Sequence, residues 1–126
     1  MTEVQRTAIP HALAKRDLCV AARTGSGKTL AYLVPIVELL HRERWSQADG
    51  LGALIIVPVR ELAIQCFEVL RSFAHQHEMS AGIAIGGLGS VDTDSSRIPQ
   101  MNILVATPGR LLQHMNETPY FVMDNL

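Results

Sequence analysis

The sequence predicts an α/β fold, a three-layer sandwich in which helices cover both faces of a parallel sheet. Three observations lead there: short uninterrupted apolar runs, stretches of helical spacing between them, and a glycine-rich loop where the first run gives way to a helix. The apolar runs are residues 18–22, 53–57, a weaker 83–85, and 103–106. Runs without polar alternation suit strands covered on both faces, which is the situation in a parallel sheet. Between them, Leu30, Leu33, Val34 and Val37 recur at helical spacing, as do Leu62, Cys66, Val69 and Phe73 with Ala63, Phe67 and Leu70 beside them. Each set predicts an amphipathic helix packed on the sheet. Pro35 removes a hydrogen bond from the first helix and is expected to bend it. Strand–helix alternation with right-handed crossovers completes the expected topology.

The 126 residues have the size of one modest domain, and 48% apolar with 18% charged residues is a globular composition. No apolar run approaches the roughly 18 residues of a membrane span, and the first residues lack the charged-then-apolar pattern of a secretion signal. Cys19 and Cys66 lie far apart inside apolar runs, which predicts two reduced core thiols in an intracellular, reducing compartment. Residues 50–52 and 86–96 are the loop candidates, the second polar, glycine-rich and with room for a short helical turn. There are no internal repeats or low-complexity tracts.

A net charge of −1 is low for a protein that holds nucleic acid by a broad basic face, though charge alone decides nothing. Nine arginines against two lysines, Lys15 and Lys28, suit another mode, in which a few placed guanidinium forks and backbone amides grip phosphate.

The loop Ala22, Arg23, Thr24, Gly25, Ser26, Gly27, Lys28 and Thr29 follows the first predicted strand and precedes the first long helix. That is the setting in which a GxxxxGK[ST] sequence binds nucleotide phosphates. Gly25 and Gly27 let the backbone curl so that amides point inward, and the helix adds its positive end. Lys28 is expected to reach the β- and γ-phosphates and the Thr29 hydroxyl to ligate Mg²⁺. Ala22 stands where the general pattern has glycine. The loop predicts nucleotide binding and is silent on how the energy is used.

Reading outward from it, the chain resembles the DEAD-box RNA helicases of superfamily 2. Thr2-Glu3-Val4-Gln5 with Ile9-Pro10 resembles the Q motif, and residues 22–29 resemble motif I, alanine included. Pro58-Val59-Arg60-Glu61-Leu62-Ala63 resembles motif Ia, Gly86-Gly87 the double-glycine motif, and Thr107-Pro108-Gly109-Arg110 motif Ib. The matches come in the family's order and span almost the whole chain. A kinase or GTPase would leave Gln5, Arg60 and Arg110 as coincidence.

The resemblance implies an incomplete RecA-like domain of the P-loop NTPase class, with residues 1–10 as the Q motif region and 11–126 as the helicase ATP-binding part. It implies ATP and Mg²⁺ as cofactors and an ATP-dependent RNA helicase as the parent activity. The Gln5 carboxamide offers the acceptor–donor pair that an adenine edge needs. Pro58, Arg60, Gly86, Gly87, Thr107, Pro108, Gly109 and Arg110 would hold the RNA sugar-phosphate backbone without reading base sequence. Thr107 is expected to cap a helix with Pro108 in its first turn. The run 111–115 and Thr2-Glu3-Val4-Gln5-Arg6 resemble the ribosome-assembly branch, which implies ribonucleoprotein partners and a nucleolar location.

Two departures qualify this. Val59 replaces a threonine of the family pattern, removing a hydroxyl that would cap the helix or touch RNA. The Asp-Glu-Ala-Asp carboxylates, the Ser-Ala-Thr motif and the second RecA-like domain are not matched within the chain, so no residue here is assigned a catalytic role. A non-catalytic segment that binds ATP or RNA weakly is therefore the alternative. Without neighbouring strands, residues 18–22 are expected to expose unpaired backbone and an apolar flank, leaving the 126 residues alone unstable or prone to aggregate.

Overall fold

A computed structural model describes residues 1–87, 97–121 and 123–126. The helical turn expected within the second loop lies outside the described residues, as does most of that loop. The chain forms two compact units, Met1–Arg44 and Trp45–Leu126. Among the described residues no helix is long and apolar enough to cross a membrane.

In the first unit, helix α1 (Glu3–Leu13) packs on helix α2 (Lys28–Arg42). The α1 start is a capping box: Thr2 Oγ1 accepts from the Gln5 amide, and Gln5 Oε1 accepts from the Thr2 amide. The buried side of α2 is Ala31, Leu33, Pro35, Val37 and Leu40, whereas Leu30 and Val34 are each 38% exposed. The predicted stripe was therefore only half right, because small Ala31 and ring-shaped Pro35 fill the contact that the larger residues were expected to fill. Pro35 lies within one continuous helix. Lys15 and Glu43 form an exposed ion pair at 2.8 Å that joins the chain after α1 to the end of α2.

Residues 18–22 correct the prediction. They run without regular structure and pair with no strand among the described residues, and Leu18 and Val20 are 44% and 46% exposed. An extended segment becomes a strand only when a neighbour takes up its N–H and C=O groups. Cys19 is exposed for the same reason, whereas Cys66 is buried as expected, and both are free thiols.

The second unit holds a parallel sheet of β1 (Ala53–Ile56), β2 (Ala81–Ala84) and β3 (Ile103–Ala106), in the order β1-β3-β2. β3 is central and wholly buried, as its unbroken apolar run predicts. The predicted 83–85 strand starts instead at Ala81, where Ala81 and Gly82 pair with Ile103 and Leu104; the Gly82 backbone lies tight beneath Met101, and an added Cβ would come within 2.8 Å of Met101 Cγ. Helix α3 (Arg60–Ala74) packs on β2 and β3. It buries Ala63, Cys66, Leu70 and Ala74, while Leu62 and Val69 face solvent, so the true stripe is rotated from the predicted one. Leu111 of helix α4 (Pro108–Glu117) joins Leu104, Ala106, Ala84, Leu51 and Ile98 in a separate core cluster.

Asn102, one residue before β3, fastens the amino edge of this sheet. Its side-chain amide donates to the carbonyls of Ser46 at 2.9 Å and Gly50 at 3.0 Å. Its Oδ1 accepts from the Ser80 hydroxyl at 3.2 Å, and its backbone carbonyl accepts from Gly52 and Ala53. Asn102 is 1% exposed, and one buried side chain thus ties together the approaches to all three strands.

Candidate functional site

The phosphate-loop residues lie together in the first unit. Gly25 and Gly27 both take left-handed backbone angles, with φ of 79° and 87°. The Ser26 amide donates to the Arg23 carbonyl at 3.2 Å, which closes the turn. Lys28 Nζ donates to the Ala22 carbonyl at 2.7 Å, so the ammonium is folded back across the loop. Arg23 and Thr24 are exposed, and Thr29 is half-buried at the second position of α2. Ser26 Oγ is buried with no hydrogen-bond partner among the described residues. A buried hydroxyl without a protein partner is uncommon and is available to a water or a ligand polar group.

Gln5 Nε2 donates to the Gly27 carbonyl at 3.2 Å, linking α1 to the loop across 22 positions of sequence. Gly27 has to be glycine twice over. Its φ is positive, and a Cβ there would lie 2.5 Å from Gln5 Nε2 and 3.0 Å from Thr2 Oγ1. Gln5 is 9% exposed, and each end of its carboxamide already has one protein partner. One amide hydrogen and one lone pair are left over, the same pair of functions that an adenine edge takes. A groove of about 860 Å³ runs between α1 and residues 18–23, lined by Thr2, Val4, Ala8, Leu18, Val20 and Ser26 among others.

In the second unit the three other motif loops leave the same edge of the sheet. Ile56, Ala84 and Ala106 end β1, β2 and β3 and are in register, with Ala106 between the other two. Pro58 and Arg60, Gly86 and Gly87, and Thr107 to Arg110 therefore all follow carboxyl ends of adjacent parallel strands, the edge where open α/β sheets bind ligands. Pro58, Arg60, Gly86, Gly87, Pro108 and Gly109 are exposed, and Arg110 is half-buried. The Arg60 guanidinium lies against Gly87, whose φ is 80°; a Cβ on Gly87 would sit 2.6 Å from Arg60 Nη1.

The helix starts differ in kind. α1 is doubly capped, but α2, α3 and α4 begin at Gly27, Val59 and Thr107 with no side-chain cap hydrogen bond. Thr107 holds the N-cap position as predicted, yet its hydroxyl does not cap the helix. The Asn102 cluster was missed by sequence reading. Its only signal was a polar residue standing directly before each of two strands, Ser80 before β2 and Asn102 before β3. Buried His114, bonded at 2.6 Å to the Thr118 hydroxyl and set edge-on to Phe121, gave no signal at all.

A glycine-rich loop opening a helix, and helix-start loops at the carboxyl edge of a parallel sheet, are features of an α/β protein of the RecA-like type. The chain belongs to the DEAD/DEAH box helicases, whose family model matches residues 2–126. It is 61% identical over 126 residues to DEAD-box ATP-dependent RNA helicase 32 of Arabidopsis thaliana and 57% identical over 126 residues to the ATP-dependent RNA helicase dbp4 of Sclerotinia sclerotiorum. All of the chain is covered in both cases, but it spans only 17% and 16% of those relatives' lengths. Among solved structures it superposes on the RNA-helicase Prp28 from Chaetomium thermophilum bound to ADP. The TM-score is 0.84 at 38% identity, covering 99% of this chain and 30% of that one.

Proposed function

We propose that this chain is the ATP-gripping and RNA-backbone-gripping part of an ATP-dependent RNA helicase, with residues 1–10 serving the adenine side and 11–126 the phosphate and RNA side. One contrast among the described α-helices carries the reading: α1 starts in a capping box, whereas α2, α3 and α4, which open from the three motif loops, start with no side-chain cap. Uncapped helix starts present backbone amides and positive dipole ends to an anion.

The residues present fit ATP. Gln5 holds spare donor and acceptor capacity beside the loop, and Gly25 and Gly27 shape a turn whose positive φ angles favour glycine. Ser26 Oγ supplies a buried hydroxyl in need of a partner. Lys28 would exchange the Ala22 carbonyl for phosphate oxygens, with Ala22, Arg23 and Thr24 forming the entrance to the loop. Thr29 would supply this chain's ligand to Mg²⁺, whose chemistry is charge neutralisation at the phosphates. RNA would lie along the carboxyl edge of the sheet, on Pro58, Arg60, Gly86, Gly87, Thr107, Pro108, Gly109 and Arg110, by contacts to phosphate and sugar alone. The runs at 2–6 and 111–115 support a role in ribonucleoprotein assembly and a nucleolar location.

A second reading is that these 126 residues bind ATP or RNA without turnover. An ATPase assay with added RNA separates the two. RNA-stimulated turnover abolished by Lys28→Ala supports the enzyme; a flat response at every RNA concentration, with ATP still bound, supports the second reading.

A further inference from the structure

We propose that Gly87 is a positioning residue: its bare backbone seats the Arg60 guanidinium, so Gly87 serves RNA binding through Arg60, whereas Gly86 meets the RNA backbone itself. This rests on the RNA reading of the carboxyl edge. The two adjacent glycines have different surroundings. A Cβ on Gly86 would meet nothing within 4 Å, but one on Gly87 would stand 2.6 Å from Arg60 Nη1 and 3.5 Å from Cζ. A guanidinium that close occupies the space a side chain would take.

The seat matters because of where Arg60 starts. It is the first residue of α3, where the helix dipole is positive and disfavours a cation, although Glu61 in the same turn offsets part of this. A phosphate is attracted by both the guanidinium and the positive helix end, and so offsets their repulsion. An arginine also has many rotamers, and ordering it before the ligand arrives removes that cost from binding. A glycine surface at the turn gives the planar group a flat place to rest.

The test is a pair of mutant cycles on the full chain, read by anisotropy of a labelled oligouridine across a salt series. Gly87→Ala and Arg60→Ala are each expected to weaken binding about tenfold, the loss of one charge-assisted contact, and to lower the salt slope by about 0.7. The double variant should be no weaker than Arg60→Ala alone. Gly86→Ala should instead add its loss to that of Arg60→Ala. Gly87→Asn, which tolerates positive φ yet carries a Cβ, should reproduce Gly87→Ala and guards against a merely unfolded variant. A Gly87→Ala loss that persists undiminished in the Arg60→Ala background overturns the proposal. Absence of a nuclear Overhauser contact between Gly87 Hα and the Arg60 side chain overturns it too. No RNA binding by the unsubstituted chain, with that contact present, sinks the RNA reading and leaves the seat as fact.

Discussion

Gln5 Nε2 and the Gly27 carbonyl are joined at 3.2 Å, so a residue in the first turn of α1 also holds the last glycine of the loop at residues 22–29. The same carboxamide completes the α1 capping box through Oε1. Its two ends can be separated chemically. Gln5→Glu keeps an acceptor for the Thr2 amide but loses the donor to Gly27 and sets a carboxylate against a carbonyl. Helix content by circular dichroism is expected to hold while ATP affinity by calorimetry falls about tenfold, the worth of one buried hydrogen bond. Gln5→Ala should in addition cost about 1 kcal/mol of stability as the box is lost. Unchanged ATP affinity in Gln5→Glu would show that the loop does not depend on this link.

Val59 starts α3 with no side-chain cap, and its own side chain is 46% exposed. A hydroxyl or carboxylate here would take up one orphaned amide of the first turn. Val59→Thr is expected to stabilise the second unit by about 0.5–1 kcal/mol, a rise of several degrees in melting temperature. Val59→Asp should stabilise similarly but weaken RNA binding, because a carboxylate competes for the amides a phosphate would use. Tighter RNA binding by Val59→Asp would place the RNA elsewhere.

The parts legible in the sequence were those set by local pattern. β3 is bounded where its apolar run is, and the motif loops open helices where their glycines, prolines and threonine suggested. What failed depended on distant partners. Residues 18–22 read as a strand by composition, but a ladder needs a neighbour that no local pattern supplies. Leu62 and Val69 have the size and spacing of core residues, but small Ala63 and Ala74 set which face of α3 is buried. The bond from Gln5 to Gly27 spans 22 positions, so no local pattern shows it. Asn102 looked like ordinary loop polarity, since its value lies in Ser46, Gly50 and Ser80 converging on it.

That convergence predicts that the second unit is sensitive to substitution of Asn102. Asn102→Asp preserves shape but turns two donated hydrogen bonds into carboxylate–carbonyl repulsions in a site 1% exposed. A loss of about 3 kcal/mol or more is expected, enough to unfold a marginal domain. Asn102→Ala should cost less, because it removes the bonds without burying a charge. Urea unfolding read at Trp45, whose indole donates to the same Gly50 carbonyl, measures both. A variant order with the alanine worse would mean that packing, not polarity, holds this edge.

Acid should weaken both units, each through one surface carboxylate. The Lys15 hydrogen bond and charge hold Glu43 below its usual 4.5, and hydrogen bonds from the Ser46 amide and hydroxyl hold Asp49 below its usual 3.8. With the folded values lowered, the unfolded chain binds more protons in acid. The contribution is therefore present above the ordinary values and lost as pH falls through the lowered ones. Melting curves from neutral pH down into the acid range should decline below about pH 4, with Glu43→Gln and Ser46→Ala each flattening part of the fall. Salt should diminish the Glu43 part, an exposed ion pair, more than the hydrogen-bonded Asp49 part.

The exposed segment 18–22 gives the sharpest prediction about the chain by itself. Its backbone has no strand partner among the described residues, and Leu18 and Val20 present an apolar flank beside it. Unpaired edges of this kind exchange amide hydrogens rapidly and recruit other chains. Hydrogen exchange of the monomer should therefore show residues 18–22 exchanging near the unprotected rate. The β3 amides, paired on both sides, should be slowed by orders of magnitude. Val20→Lys, which places a charge on the flank, should reduce concentration-dependent aggregation without altering the β3 protection. Protection of residues 18–22 equal to that of β3 in a monomeric sample would mean that the segment has found a strand partner, and the expectation of an open edge would fall.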